Sequence, residues 1–141
     1  MEDPLIGEAR EVGRRLSLSS PEPGFTIYTG ETTVTITGGG RGGRNQELAL
    51  AAAVAVDGDD ELSIATLATD GVDGPTDAAG AIIDGGTVAR GHQAGLVPAI
   101  HLSRNDSYPF LKATRDLLFT GPTGTNVGDL VVVSRQIDRT G

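Results

Sequence analysis

The sequence predicts a layered α/β domain in which helices flank a mixed β-sheet. Short β-branched, apolar segments alternate along the chain with segments of helical pattern, and this alternation is typical of a sheet covered by helices. The last two predicted strands are joined by only about nine residues, which is too short for the crossover of a parallel pair. The 141 residues suffice for one domain of common size.

The N-terminal residues of the chain show helical periodicity. Asp3–Pro4 is a favourable N-cap and first helical residue, and apolar residues then recur at helical spacing, so we expect an amphipathic helix over residues 4–18. A segment rich in Ser, Pro and Gly follows at 17–24. We therefore expect a connector helix and linker at 1–23, and an α/β domain at 24–141.

The next elements follow from changes of periodicity. The pattern changes to period two from Phe25 onward, and in ETTVTIT, residues 31–37, Val34 and Ile36 share one face and threonines the other, which predicts a strand. The apolar run at 44–56 has strong helix propensity and predicts a helix buried against the sheet. Further strands are predicted at 62–69, 79–84, 117–120 and 130–137, and further helices at 86–95, from Pro98 onward and at 108–115.

Composition narrows the function classes. The 19 acidic and 11 basic residues give a net charge of −8, which disfavours nucleic-acid binding, and three Phe, two Tyr and no Trp offer little surface for stacking bases. No apolar run approaches the roughly 20 residues of a membrane span, the first residues lack the pattern of a secretory signal, and there is no Cys. We expect a cytoplasmic protein without nucleic-acid or membrane partners. Ten of the basic residues are Arg, so phosphate binding would depend on guanidinium groups.

The stretch GGGRGGRNQEL, residues 38–48, places a glycine-rich loop between a predicted strand and a predicted helix. Free backbone N–H groups and the positive helix end can bind an anion in this arrangement, and Arg41 and Arg44 add bidentate donors for phosphate or carboxylate. The loop satisfies G-x-G-x-x-G, but the acidic residue that a dinucleotide fold needs about 20 residues later falls in a turn, and the lysine of a Walker A loop is missing. The alternative is a flexible hairpin tip with two solvated arginines.

Three carboxylates occupy the next loop, TDGVDGPTDAAGA. Asp70, Asp73 and Asp77 follow the end of an apolar strand, where carboxylates can hold Mg²⁺, position an acceptor hydroxyl or fix the arginines. The alternative is that each Asp bonds to nearby backbone donors in Asx turns.

A third loop, TGPTGTNVGDL, joins two apolar strands. Thr123, Thr125 and Asn126 supply neutral hydrogen-bonding groups at strand ends, where α/β sheets place ligand sites. An ordinary strand connection is the alternative. Ahead of the last predicted helix, Asn105 or Asp106 is expected to act as its N-cap.

Four blocks, GETTVTITGGGRGGRNQELAL, ATDGVDGPTDAAGAIID, NDSY and TGPTGTNVGDL, occur in this order between about Gly30 and about Val133. Together they resemble the C-terminal MOFRL domain of the glycerate 2-kinase family, whose members have also been named hydroxypyruvate reductases. The resemblance implies a second, N-terminal Rossmann-like domain and an active site in the cleft between the two domains. It makes the 4–18 helix the segment that leads in from that first domain. It also implies phosphorylation of D-glycerate at its 2-hydroxyl with ATP and Mg²⁺.

The same resemblance implies roles for the three loops. Arg44 becomes the candidate for stabilising the transferring phosphoryl group, with Arg41 beside it. Asp70 and Asp73 become candidate Mg²⁺ contacts. The implied substrate- or phosphate-binding residues are Gly40, Gly42, Gly43, Asn45, Glu47, Asp70, Asp73, Asp77, Thr123, Thr125 and Asn126.

The resemblance identifies the chain as the C-terminal half of an ATP-dependent glycerate 2-kinase. It would form one wall of an inter-domain site and depend on a missing N-terminal domain. Because loss of one preorganised donor typically costs about 100- to 1,000-fold in rate, we expect the chain to be nearly inactive alone. Two alternatives stay open: a stand-alone ligand-binding or interaction module without catalysis, and a hydroxypyruvate reductase. Assembly into a homo-oligomer stays open too.

Overall fold

The computed structural model describes residues 5–19 and 22–136. Within these ranges no helix is long and apolar enough to cross a membrane. The helices are α1 (Ala9–Leu18), α2 (Arg44–Ala55), α3 (Thr87–Gln93), α4 (Pro98–Ser103) and α5 (Ser107–Thr114), and the strands are β1 (Gly24–Gly30), β2 (Leu62–Ala68), β3 (Gly80–Asp84), β4 (Leu117–Leu118) and β5 (Asp129–Arg135). Three predicted features, the Asp3–Pro4 helix start, linker residues 20–21 and the strand end at 137, lie outside the described residues.

The strands that the structure describes form one five-stranded sheet in the order β1-β5-β2-β3-β4. Every neighbouring pair in this sheet is antiparallel. The layered α/β class with flanking helices is confirmed, and the sheet is antiparallel rather than mixed. β5 inserts between β1 and β2, so the short connection that argued against a parallel pair joins two strands, β4 and β5, that are not neighbours.

The helices cover one face of this sheet. On β2, Ile64 and Thr66 are fully buried, whereas Ala65 and Leu67 on the opposite face are half-buried. α2 is buried on nearly all sides, as its apolar run predicts, because β2 and β3 lie on one side of it and α1 on another. Burial of each large side chain in this layer, such as Leu50, contributes about 1.5–3 kcal/mol.

Helix α1 begins at Ala9 rather than at residue 4. Upstream of it, Leu5 forms a parallel bridge with Gly30, and this backbone pairing replaces the expected first turns of the helix. α1 packs closely against α2 because Gly13 has no side chain; a Cβ there would meet the carbonyl oxygen of Leu48. The segment predicted to be a connector therefore shares the core of the α/β domain. That it also leads in from another domain stays a prediction.

The prediction of a strand at 31–37 is wrong, because β1 ends directly before this segment and the chain then leaves the sheet. In the described part of the chain, the segment makes only one isolated bridge. The chain ahead of α1 and two side chains satisfy its backbone instead: the Thr33 N–H donates to the Gly7 carbonyl oxygen at 2.9 Å, Glu8 accepts from the Thr35 N–H at 3.2 Å, and Asn105 accepts from the Thr37 N–H at 2.6 Å. The threonine-rich alternation suits a strand, but here it forms the wall of a groove.

Candidate active-site groove

A groove of about 540 Å³ opens beside the N-terminus of α2. Its walls include residues of the 31–36 segment, the glycine loop at 38–43 and the turn at Gly74–Pro75. Arg44 and Glu47 reach the groove from the first turn of α2. Segments that are distant in sequence therefore meet at one end of the domain.

The glycine loop (38–43) is packed against the chain that precedes α5. Cβ atoms at Gly38 and Gly40 would collide with the backbone of Arg104, and a Cβ at Gly43 would collide with Asp73. The φ angles of these glycines lie outside the left-handed region, so close approach is the reason for glycine here. The Gly40 N–H donates to the Arg104 carbonyl oxygen at 2.8 Å. What comes close to the loop is the protein's own chain, and the loop is not a free hairpin tip.

Asp73 occupies the N-terminus of α2. Its carboxylate accepts hydrogen bonds from the backbone N–H groups of Asn45 (3.0 Å) and Gln46 (2.9 Å) and from the side-chain amides of both residues. Burial raises the pKa of Asp73, and the four donors offset part of that rise. The helix end that the sequence offers to an external anion is thus filled from within. Asp73 and Asn45 hold the glycine loop and α2 in place.

Arg44 is bound along two edges of its guanidinium. Nε and Nη2 donate to Asp129 at 2.6 and 3.0 Å, and Nη1 lies 3.2 Å from Glu31. Asp129, the first residue of β5, has a side chain only 2% exposed, whereas the Arg44 side chain keeps 34% of its surface exposed. The hydrogen bond to Asp129 raises the pKa of Arg44, so the guanidinium stays charged. A charged fork at the edge of a groove can bind an oxyanion.

Glu47 is buried and paired. Arg10 of α1 lies 3.3 Å from its Oε1, and the Asn105 side chain donates to the same oxygen at 3.0 Å. Asn105 has a left-handed backbone (φ 53) and accepts from the Gly38 N–H at 3.0 Å. Glu47 therefore ties α1, α2 and the glycine loop together, and Arg10 already balances its charge.

Arg41 and Asp77 meet through Tyr108 of α5. The Arg41 guanidinium lies 4.2 Å from the centre of the Tyr108 ring, and the phenol donates to Asp77 at 2.8 Å, which raises the pKa of Tyr108. The Arg41 N–H donates to the Asp106 carboxylate at 2.8 Å. Asp106 takes the N-cap position of α5, as predicted, but its side chain makes no hydrogen bond to the helix.

The threonine loop (121–128) lies against the start of the aspartate loop (69–81). The Asp70 carboxylate accepts from the Val72 N–H at 3.0 Å and so closes an Asx turn. The Asp70 carbonyl oxygen accepts from the Thr123 N–H at 3.2 Å. Asn126 closes a similar turn within the threonine loop, and Thr125 is exposed. The loop runs directly into β5, whose first carboxylate binds the guanidinium at the groove. The structure therefore brings the threonine loop and the groove to the same end of the sheet.

Two carboxylates of this site, Asp129 and Glu31, received no role from the sequence. Asp129 carries a detectable signal: a carboxylate at the start of an apolar strand becomes buried, and a buried carboxylate requires a cation. Glu31 carries no comparable signal, because it is exposed and its contact with the arginine depends on the path of the chain after β1.

The described residues contain no group of three or more His, Asp, Glu or Cys side chains that could hold a metal ion. Both oxygens of Asp73 accept from amides, and Asp70 uses one oxygen in its turn. These residues do not fit a Mg²⁺ site of their own, since Mg²⁺ requires oxygen ligands in octahedral geometry. Mg²⁺ therefore remains an expectation from the resemblance alone.

A guanidinium at the edge of a concave groove is an arrangement that can bind the carboxylate or phosphate group of a small ligand. The chain belongs to the MOFRL family, whose family model matches residues 24–129. The match runs from the start of β1 to the first residue of β5. It therefore includes the glycine loop and the two other loops singled out from the sequence.

The chain is 47% identical to a D-glycerate 2-kinase of Thermotoga maritima, over 89% of its own length and 32% of that protein. It is 46% identical to a glycerate 2-kinase of Pyrococcus horikoshii, over 91% of its length and 28% of that protein. A crystal structure of glycerate kinase from Thermotoga maritima matches with a TM-score of 0.90 and 45% identity, over 94% of this chain and 34% of that one. The chain thus spans about one third of the length of these proteins.

Proposed function

We propose that this chain is the C-terminal part of an ATP-dependent glycerate 2-kinase, which transfers the γ-phosphoryl group of ATP to the 2-hydroxyl of D-glycerate. In this proposal the groove beside α2 forms one side of the active site, and an N-terminal domain forms the other side. The names of the relatives support the reaction, and their roughly threefold greater length supports the second domain. The observation that carries the proposal is the charged Arg44 guanidinium at the groove.

Arg44 has the properties that phosphoryl transfer demands. The reaction depends mainly on positioning and charge stabilisation, because negative charge spreads over the three equatorial oxygens of the transferring group. A guanidinium is planar, always charged and able to donate two parallel hydrogen bonds. Asp129 fixes one edge of this guanidinium, so little reorganisation is needed when the ligand binds.

The groove has a size and a lining that suit a small hydroxy acid. Its volume of about 540 Å³ lies within the range of small-molecule sites, about 300–1,000 Å³. Asn105 and Ser107 add polar groups beside the glycines of the 38–43 loop. Because this chain supplies only one wall, it contacts the transferring group from one side, and we expect it to be nearly inactive without its partner domain.

Complementation between two polypeptides tests the proposal. The 141-residue chain is mixed with the N-terminal two thirds of the Thermotoga maritima D-glycerate 2-kinase, and 2-phosphoglycerate formation is measured with D-glycerate and ATP. We expect turnover from the mixture and from neither part alone. Arg44→Ala in the chain should lower kcat by about 100- to 1,000-fold, the usual effect of removing one preorganised donor.

Arg14→Ala is the matched control for this experiment. Arg14 is an exposed arginine of α1 and forms an ion pair with Glu11 at 2.6 Å, outside the residues that line the groove. The control mixture should keep the wild-type kcat. Equal turnover by the Arg44→Ala and Arg14→Ala mixtures would exclude the role proposed for Arg44.

The two alternatives have distinct outcomes in the same mixture. Calorimetric binding of D-glycerate without any turnover would favour a binding module. A hydroxypyruvate reductase would use a nicotinamide dinucleotide, whose pyrophosphate needs free N–H groups at a helix N-terminus. In this chain those of Asn45 and Gln46 already donate to Asp73, so α2 offers no such site, and a change in nicotinamide absorbance with hydroxypyruvate in the mixture would favour the reductase.

A further inference from the structure

The two carboxylates that bind Arg44 differ in burial. Asp129 accepts from Nε and Nη2 at 2.6 and 3.0 Å, and its side chain is 2% exposed. Glu31 lies 3.2 Å from Nη1, and its side chain is 67% exposed. One edge of the guanidinium is therefore held inside the protein, and the other edge is paired at the surface of the groove.

The pairing with Asp129 is a fixed feature of the fold. Asp129 opens β5, which lies between β1 and β2, and it stands in register with Gly30 on one side and Ala68 on the other. A carboxylate at this place cannot be hydrated, and removing its cation would leave a buried, uncompensated charge. Arg44 therefore keeps its Nε edge on Asp129 whether or not a ligand is present.

The pairing with Glu31 is exchangeable. Exposed ion pairs contribute little to stability, because water stabilises the two separated charges almost as well as the ion pair does. Glu31 follows β1 in a segment without regular structure, and it lines the groove together with Arg44. A ligand that brings its own oxyanion into the groove competes with Glu31 for Nη1.

We infer that Asp129 is a positioning residue that aims the Nη1 edge of Arg44 into the groove, and that the Glu31 carboxylate pairs with Nη1 at the place where an oxyanion group of the ligand binds. The Glu31 carboxylate shows where such a group binds and leaves for solvent when the ligand enters. The identity of the ligand rests on the proposed function: the group is either the carboxylate of D-glycerate or a phosphoryl group. Both present oxyanion pairs to a guanidinium edge.

A binding titration tests this inference without any turnover. The Nε–Hε signal of Arg44 is followed by nuclear magnetic resonance in the ¹⁵N-labelled 141-residue chain, while D-glycerate or inorganic phosphate is added in separate experiments. Glu31→Gln should lower the dissociation constant of the probe about two- to fivefold, because it removes a competing exposed ion pair. The probe that responds identifies the oxyanion as the carboxylate or the phosphoryl group.

Glu11→Gln is the matched control. Glu11 has a side chain 63% exposed and forms an ion pair with Arg14 at 2.6 Å, so this variant changes the net charge equally and also frees one arginine. It should leave the dissociation constants unchanged. Equal constants for Glu31→Gln and Glu11→Gln would overturn the inference, and so would the failure of both probes to move the Arg44 signal.

The role of Asp129 needs a second pair of variants. Asp129→Asn should shift the Arg44 Nε–Hε signal and weaken binding of the responding probe at least about tenfold, the effect of losing a well-placed ionic hydrogen bond. Asp129→Glu should restore part of the affinity, which a purely structural role would not require. A shifted signal with unchanged affinity would overturn the role of Asp129. If Asp129→Asn does not fold, Asp129→Glu takes its place, and a shifted Arg44 signal with unchanged affinity in that variant would overturn the role of Asp129.

These measurements separate the inference from the proposed function. If Glu31→Gln binds the probe more tightly but the mixture with the N-terminal domain shows no kinase turnover, the inference stands and the proposed kinase function is excluded. An active mixture in which Glu31→Gln and Glu11→Gln bind the probes equally would keep the kinase and remove the inference.

Discussion

The glycine loop (38–43) and the threonine loop (121–128) are both rich in glycine, but they contain it for different physical reasons. In the glycine loop, Gly43 is required because Asp73 lies against it, and its φ is not left-handed. In the threonine loop, Gly124 has a φ of +77, and open space surrounds its Cβ position. The first loop is fixed by contact with other segments, and the second by the shape of its own turns.

The two loops therefore contribute to the site in different ways. The packed loop and the carboxylate that caps α2 hold the first helical turn, which carries Arg44, so substitutions there should act mainly through stability. The exposed loop adds little to the core, so substitutions there should change stability only through local backbone strain. The same glycine-to-alanine change is thus expected to destabilise the protein for different reasons in the two loops.

The largest expected effect is on the packed side. Asp73→Ala should lower the free energy of unfolding by about 3–5 kcal/mol, because two backbone N–H groups and two side-chain amides at a buried helix end lose their acceptor. Urea unfolding measures this loss. Asp70→Ala, which removes an Asx turn at a more exposed position, should cost less than about 1 kcal/mol. Similar losses in the two variants would contradict the assignment of Asp73 as the cap.

A smaller effect is expected from filling the contact itself. Gly43→Ala should destabilise by about 1–3 kcal/mol, since its Cβ has no room beside Asp73. Gly39→Ala is the matched control in the same loop: its Cβ position is open and its φ is ordinary, so its effect should stay within about 0.5 kcal/mol. If the two alanines were equally tolerated in urea unfolding, the loop would not be packed.

The smallest effect is expected in the threonine loop. Gly124→Ala should cost about 1 kcal/mol through its left-handed φ alone. Gly124→Asn should recover part of that loss, because Asn tolerates this conformation. Gly43→Asn should show no such recovery, because the obstacle there is steric. Thermal unfolding of these variants measures the contrast, and rescue by Asn at both positions would remove it.

Much of the fold was predictable because its signals are local. The apolar run of α2 and the β-branched segments of β2 and β5 appear close to their expected places, since periodicity and propensity lie within each segment. The strand expected at 31–37 was misplaced for the opposite reason. Residues 24–30 and 31–37 both suit a strand locally, and only pairing with β5, far along the chain, selects the first.

The site was predictable only in part. The glycine-loop pattern and the family resemblance pointed to Arg44, but the carboxylate that holds it, Asp129, lies 85 residues away. Asp73 was noticed as a carboxylate in a loop, and its role as the cap of α2 arises from a contact across 28 residues. Spacing cannot reveal which partner a carboxylate meets, because that depends on how the sheet brings β5 and the aspartate loop together.

The central claim is that the guanidinium of Arg44, and not only its charge, meets the anionic ligand at the groove. Arg44→Lys keeps the charge but loses the planar fork that binds Asp129 through two N–H groups. In the mixture with the N-terminal domain, steady-state kinetics with D-glycerate and ATP should show a kcat about 100-fold or more below wild type. A folded Arg44→Lys chain that supports wild-type kcat would contradict the account.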